Sequence, residues 1–201
     1  MKRETVVIVG MLEPYTADID ADIWGVNRCY KHQDKLDRLY FLDNLNVFEP
    51  EFAESVNALG IPVFCQKHYE EIEQSRPYPL DEVLQEFGVS YFTSTIAYMM
   101  AHAIKEGYKK IVLHQILSYP HAPDYMDQKP CLDFWSGIAI AKGVQIVVTG
   151  SGSICKPFPW QAQRYGYEKD RMMIKHLMSK GMTLQPMSSD AERVFPNAVS
   201  A

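Results

Sequence analysis

Apolar residues along this chain fall into short runs separated by polar turns. Residues 5–9 read Thr-Val-Val-Ile-Val and stop at Gly10. A run without polar alternation suits a strand buried on both faces, as in a parallel sheet. Comparable runs at 22–26, 38–42, 61–65, 110–115 and 144–148 predict five more strands. Between the strands the period changes. Phe48, Phe52 and Val56 recur at helical spacing ahead of Gly60, and Leu80–Phe87 makes a short helical segment closed by Gly88. Ile96, Met99, Met100, Ala103 and Ile104 line one side of a helix predicted from about Ser94 to Lys105, with Gly107 as its stop. Pro130 opens a further helix through Ala141, a first-turn place that suits proline, and Gly143 ends it. A last helix is predicted over roughly 168–179. Residues 66–78 and 118–130 read as irregular polar segments.

Strands and helices alternate, which predicts an α/β fold: a single-domain, open, mostly parallel, Rossmann-like sheet with helices on both faces. With no repeat and no linker, residues 1–185 read as one domain and 186–201 as a loosely ordered tail.

Composition narrows the partners. The 201 residues suffice for one buried core, and 47% hydrophobic with 22% charged residues is ordinary for a globular chain. A net charge of -5 argues against a broad basic surface for duplex nucleic acid. No apolar run approaches the ~18 residues that span a bilayer. The opening MKRETVVIVG has too short an apolar run, and no cleavage site, for a signal peptide. A cytoplasmic protein is expected. Cys29, Cys65, Cys131 and Cys155 are far apart, so they are expected to be reduced and packed rather than to hold zinc.

In an open α/β sheet, ligands bind beyond the carboxyl ends of the strands. That rule picks out Gly10 to Tyr15, Asn27-Arg28, Asp43-Asn44, His114 to Tyr119, and Thr149 to Ser153, the TGSGS turn that carries Ser151 and Ser153. There is no GxGxxG and no GxxxxGK[ST], so neither the dinucleotide nor the P-loop fingerprint is present. Gly10 fits either a close ligand approach or a tight turn. Asn27 fits either base or ribose recognition or a local turn. Thr93, Ser94 and Thr95 precede a helix and fit either a cap or an anion site. The TGSGS turn fits either an anion-binding nest or a plain turn. His121, in a polar loop after a strand, is the best single candidate for general acid–base work; a merely exposed histidine is the alternative.

The segments VVIVGMLEP, WGVNRCY, FTSTIAYMMAHAIKEGYKKIVLHQILSY and VQIVVTGSGSIC resemble those of two groups. One is the bacterial sialyltransferases that use CMP-activated sialic acid, the other the hydroxymethylpterin pyrophosphokinase-like family. PYPLDEV, QKPCLDFW and YGYE also resemble bacteriophage proteins of unassigned function. The sialyltransferase resemblance implies that Gly10 and Asn27 hold the nucleotide, that Thr93, Ser94 and Thr95 lie beside the donor, that Tyr119 contacts phosphate, and that His121 is the general base. The chain departs from that family at Gln115-Ile116-Leu117, where the family has Gly-Ile-Asp or Gly-Val-Asp.

The expected function is a nucleotide-dependent, glycosyltransferase-like transferase. Its substrate is a nucleotide sugar, and no cofactor or metal is required. One alternative is a non-catalytic protein that sequesters a nucleotide. Another is a metal-dependent pyrophosphoryl transferase, for which Asp43, Asp124 and Asp127 are the carboxylates to hand. No membrane partner is expected, the compartment would be the host cytoplasm if the chain is phage-encoded, and Trp135 fits either a homo-oligomer contact or the core.

Overall fold

The computed structural model describes residues 3–116, 127–152, 154–155 and, for the backbone, 193–195. The expected strands form as β1 (Thr5–Val9), β2 (Asp22–Val26), β3 (Arg38–Tyr40) and β4 (Val63–Cys65). They continue, past β5 (Ser75–Pro77), with β6 (Lys110–His114) and β7 (Gln145–Thr149), and β8 (Arg193–Phe195) adds a last short strand. The helices are α1 (Phe52–Asn57), α2 (Leu80–Phe87), α3 (Thr95–Lys105) and α4 (Gln128–Ala141). All eight strands join one sheet in the order β5-β4-β3-β2-β1-β6-β7-β8. The first seven are parallel and β8 pairs antiparallel with β7. This is an open α/β sheet of the Rossmann-like kind.

Alternation along the strands feeds two cores. Val6, Ile8, Trp24, Tyr40, Leu113 and Val148 face α2, α3 and α4. Leu39, Val63 and Cys65 face α1 through Phe52 and Val56, while Val7, Val9, Ile23, Val112 and Val147 form a smaller cluster on the strand positions between. Helices therefore cover both faces. Trp135 of α4 is fully buried, donates from Nε1 to the Tyr91 carbonyl at 2.8 Å and stacks on Phe92, so it belongs to the core. Cys29, Cys65 and Cys131 are buried, and burial pushes the Cys29 thiol up to about 12.

Several boundaries differ from the sequence expectation: strands 38–42, 61–65 and 110–115 shorten to Arg38–Tyr40, Val63–Cys65 and Lys110–His114, and the helix expected from Pro130 starts at Gln128. Three further differences have identifiable reasons. Strand β5 lies inside a segment expected to be irregular. It is a short edge strand that buries only Ser75, and its Pro77 is tolerated because an edge leaves one side unpaired. Helix α1 starts only at Phe52, because Leu45–Val47 forms a 3-10 turn and Phe48 reaches the core by stacking on Phe52 at 4.1 Å. Strand β7 begins one residue late because the Val144 amide donates to the Ala139 carbonyl, closing α4. In the tail expected to be loose, Arg193–Phe195 pair with β7. The helix expected near 168–179 lies outside the described residues. Among the described residues, no helix is long and apolar enough to cross a membrane.

The far end of α3 is tied to the sheet by a part-buried polar network. Arg38 of β3 makes a two-pronged pair with Glu106, at 2.6 and 3.1 Å, and its guanidinium lies 4.6 Å over the Trp24 ring. His102 bridges the network, with Nε2 at 3.2 Å from Glu106 and Nδ1 at 2.9 Å from the Tyr40 hydroxyl. The carboxylate can only accept, which puts the imidazole proton on Nε2 and leaves Nδ1 to accept from Tyr40. Burial lowers His102 from 6.5 to about 4, against the opposing pull of Glu106. An unfolded histidine takes its proton near 6.5, so the folded state gains from neutral His102 above that pH and loses the gain as pH falls to about 4. A depression of this size corresponds to about 3 kcal/mol. Urea unfolding is therefore expected to show stability falling between pH 6.5 and 4. In His102→Gln the slope over that window should flatten by up to one proton; an unchanged slope would mean that His102 is not held neutral.

Candidate functional site

The connections out of β1 and β6 leave in opposite directions, because β2 lies beside β1 on one side and β7 beside β6 on the other. Such a switch point opens a crevice at the carboxyl edge of a parallel sheet. A cavity of about 270 Å³ lies there. Its walls are Gly10 to Leu12 after β1, Asn27 after β2, Asp43 after β3, the start of α3, and Gln115 with Ile116 after β6. Gly10, Asn27, Asp43, Thr93, Ser94 and Thr95, all singled out from sequence, thus meet at one place.

Their local roles differ. A Cβ on Gly10 would sit 2.3 Å from the Gln115 carbonyl oxygen, so the glycine is demanded by the neighbouring strand tip. Asn27 takes a left-handed backbone at φ 49, which asparagine tolerates, and its amide N–H donates to the Tyr40 carbonyl at 2.8 Å. Its side-chain Oδ1 is buried without a hydrogen-bond partner among the described residues. Ser94 is the cap of α3, accepting from the Ala97 amide at 3.4 Å. Thr93 donates to the Asp127 carbonyl at 2.9 Å and so links the starts of α3 and α4. The Thr95 hydroxyl lines the cavity and makes no hydrogen bond among the described residues. Of three neighbouring hydroxyls, one caps, one ties two helices, and one faces the cavity without a hydrogen bond among the described residues.

Gln115 lies in a strand tip that the sequence picks out, but sequence reasoning gave it no role in the site. It holds φ 53, a conformation glycine adopts freely, and is only 5% exposed. Its side chain donates to the Glu13 carboxylate and accepts from the Ser151 amide at 3.1 Å. Those bonds clamp the tips of β1, β6 and β7 together. A Cβ on Gly150 would lie 2.6 Å from the Gln115 amide nitrogen, so the TGSGS turn is shaped around this side chain. Ser151 does not line the cavity, and its N–H is committed to Gln115. The sequence signal was the departure itself, a glutamine standing where the family resemblance expects glycine.

His114 is pinned as well. Nδ1 lies 2.9 Å from the Thr149 hydroxyl and Nε2 3.2 Å from the Pro14 carbonyl, and the ring meets Tyr15 edge-on. Burial lowers its pKa, so it sits neutral as a structural imidazole. Asp43 is then the one ionisable group among the described lining residues. Tyr119, His121, Asp124 and Ser153 lie outside the described residues. Among the described residues no His, Cys, Asp and Glu cluster is placed to hold a metal. The crevice can therefore accept hydrogen bonds through Asp43 and Asn27, donate through Thr95, and offer the backbone N–H groups of a helix start.

The chain matches no protein-family description, no curated protein and no solved structure.

The clash at Gly10 gives a direct check on the strand-tip geometry. Gly10→Ala should lower the unfolding free energy by about 1–3 kcal/mol, the usual cost of overpacking. Gly137→Ala, on the exposed side of α4 with no atom within 4 Å of the added methyl, should raise it by up to about 1 kcal/mol. Equal effects in urea titrations would contradict the packing described here.

Proposed function

We propose that this crevice binds a nucleotide and that the protein is a nucleotide-dependent, glycosyltransferase-like transferase acting on a nucleotide sugar. The observation that carries the binding part is the position of the cavity, at the switch point of a parallel sheet and against the start of α3. At about 270 Å³ it is near the lower end of small-molecule sites, so it takes the nucleoside and leaves phosphate and sugar toward the opening. Asp43 would accept from ribose hydroxyls, and the Asn27 amide would read the base or ribose. Neither lysine nor arginine lines the described wall, so the positive end of α3 is what faces phosphate there.

The transfer part rests on the sequence. Ile116 and Gln128, which flank the segment containing Tyr119 and His121, both line the crevice. In the proposed step His121 takes the proton of an acceptor hydroxyl as the new C–O bond forms, and the nucleotide leaves with the electrons of the broken bond. Tyr119 would steady the phosphate charge. A second reading, nucleotide binding without turnover, is favoured by the wall itself, where Asp43 is the single ionisable group among the described residues.

Calorimetry and thermal shift with CMP, UMP and their nucleotide sugars test the proposal. Binding is expected to weaken about tenfold in Asn27→Ala, the scale of one lost hydrogen bond. His121→Ala should abolish donor turnover and keep binding. Binding without consumption of any donor would leave the sequestering reading, turnover only with Mg²⁺ would favour pyrophosphoryl transfer, and no shift with any nucleotide would remove all three.

A further inference from the structure

A second cavity, of about 710 Å³, opens at the carboxyl ends of β3 and β4. It adjoins the crevice through the β3 tip, since Asp43 lines the first cavity and Asn44 the second. Its floor is a built scaffold. Tyr69 binds Ser75 Oγ from its amide and receives the same hydroxyl's proton at its carbonyl, both at 3.0 Å. Asn57 of α1 holds the 71–73 segment, donating to the Glu71 carbonyl and accepting from the Glu73 amide. Gln66 ties the same loop to the Leu42 carbonyl.

The wall above that scaffold has unused hydrogen-bonding capacity. Tyr69 is 7% exposed, and its hydroxyl is buried with no partner among the described residues. The side-chain amides of Asn44 and Asn46 make no hydrogen bond among the described residues. His68 spends Nδ1 on Ser75 Oγ at 2.8 Å, which leaves Nε2 available. Counting the two cations that hold Glu49, three positive side chains accompany three carboxylates. Arg28 at 2.6 Å and Lys31 at 2.7 Å keep Glu49 ionised, and Lys67, Glu70 and Glu71 line the wall, with the Lys67 ammonium 5.3 Å over the Tyr69 ring. Phe48, Pro50 and Ala53 supply an apolar side.

We infer that this cavity is a second binding site, for an uncharged, hydroxyl-bearing ring compound of small-saccharide size. A balanced wall gives neither an anion nor a cation a net attraction. Amides, an imidazole and a phenol suit alcohol groups that both donate and accept, and the apolar side suits the C–H face of a ring. The inference stands whether or not the first cavity takes a nucleotide.

Saturation-transfer NMR on the full chain with glucose, galactose, N-acetylglucosamine and lactose tests it. At least one of these probes should bind at millimolar concentration. Its affinity should fall about three- to tenfold in both Asn46→Ala and Tyr69→Phe, the range of one neutral hydrogen bond, and stay unchanged in Asn27→Ala. Tyr69→Phe, which removes an orphaned hydroxyl, should keep or raise the thermal midpoint of the free protein. Failure of all four probes to bind would overturn the inference. So would binding indifferent to both variants, a signal lost only in Asn27→Ala, or a large drop in midpoint for Tyr69→Phe.

Discussion

The crevice depends on where α3 lies, and α3 is positioned from its far end. The Arg38 pair with Glu106, together with His102 between Glu106 and Tyr40, locks the last turn of the helix onto β3. The apolar side, through Ile96, Met99 and Met100, then lays the helix along the sheet, and its start comes out at the strand tips. Removing one partner from a buried ionic group leaves the other uncompensated. A change some ten residues from the cavity would therefore be felt at its wall, because a helix transmits a tilt along its whole length.

The near end is set by backbone approach. Gly10 lets the β1 tip come against the Gln115 carbonyl, and the Gln115 side chain then reaches to Glu13 and Ser151. The strained backbone at Gln115 is held because a buried, three-way clamp outweighs a cost of about 1–3 kcal/mol. A glycine there would relieve the strain and lose the clamp. The β1, β6 and β7 tips would then be joined by backbone pairing and by the His114 ring, through Thr149 and Pro14. The glutamine therefore acts as a structural keystone where the resemblance expects a glycine.

Most of the fold was legible because its signals are local. Continuous β-branched runs mark strands buried on both faces, and Gly88, Gly107 and Gly143 each follow a helix in a left-handed conformation. Strand β5 was not legible. Ser-Arg-Pro has no apolar run, and it is a strand only because β4 offers an edge to pair with. The site was half legible. The strand-tip rule gathered Gly10 and Asn27, and the cap at Ser94 was one of the two readings of its residue type, but nothing there shows that Thr93 is spent on Asp127, because that bond depends on how two helices meet. Nor does sequence reveal the Gln115 clamp, whose partners lie 102 and 36 positions away.

Four buried polar atoms lack partners among the described residues: Trp24 Nε1, Asn27 Oδ1, Tyr30 Oη and Tyr69 Oη. An unsatisfied buried group costs about 1–3 kcal/mol, so each calls for a cause. Trp24 lies under the Arg38 guanidinium and within a ring of Tyr40, His102 and Tyr108, where aromatic and cation–π contact offsets the loss. Tyr30 packs on Phe52 within the α1 core. The other two differ in kind, because Asn27 lines one cavity and Tyr69 lines the other. Packing accounts for the first pair and leaves the second pair unexplained. An orphaned atom alone does not mark a site. What sets these two apart is that their residues line cavities at the carboxyl edge of the parallel sheet, where side chains are not closed in by packing on every side.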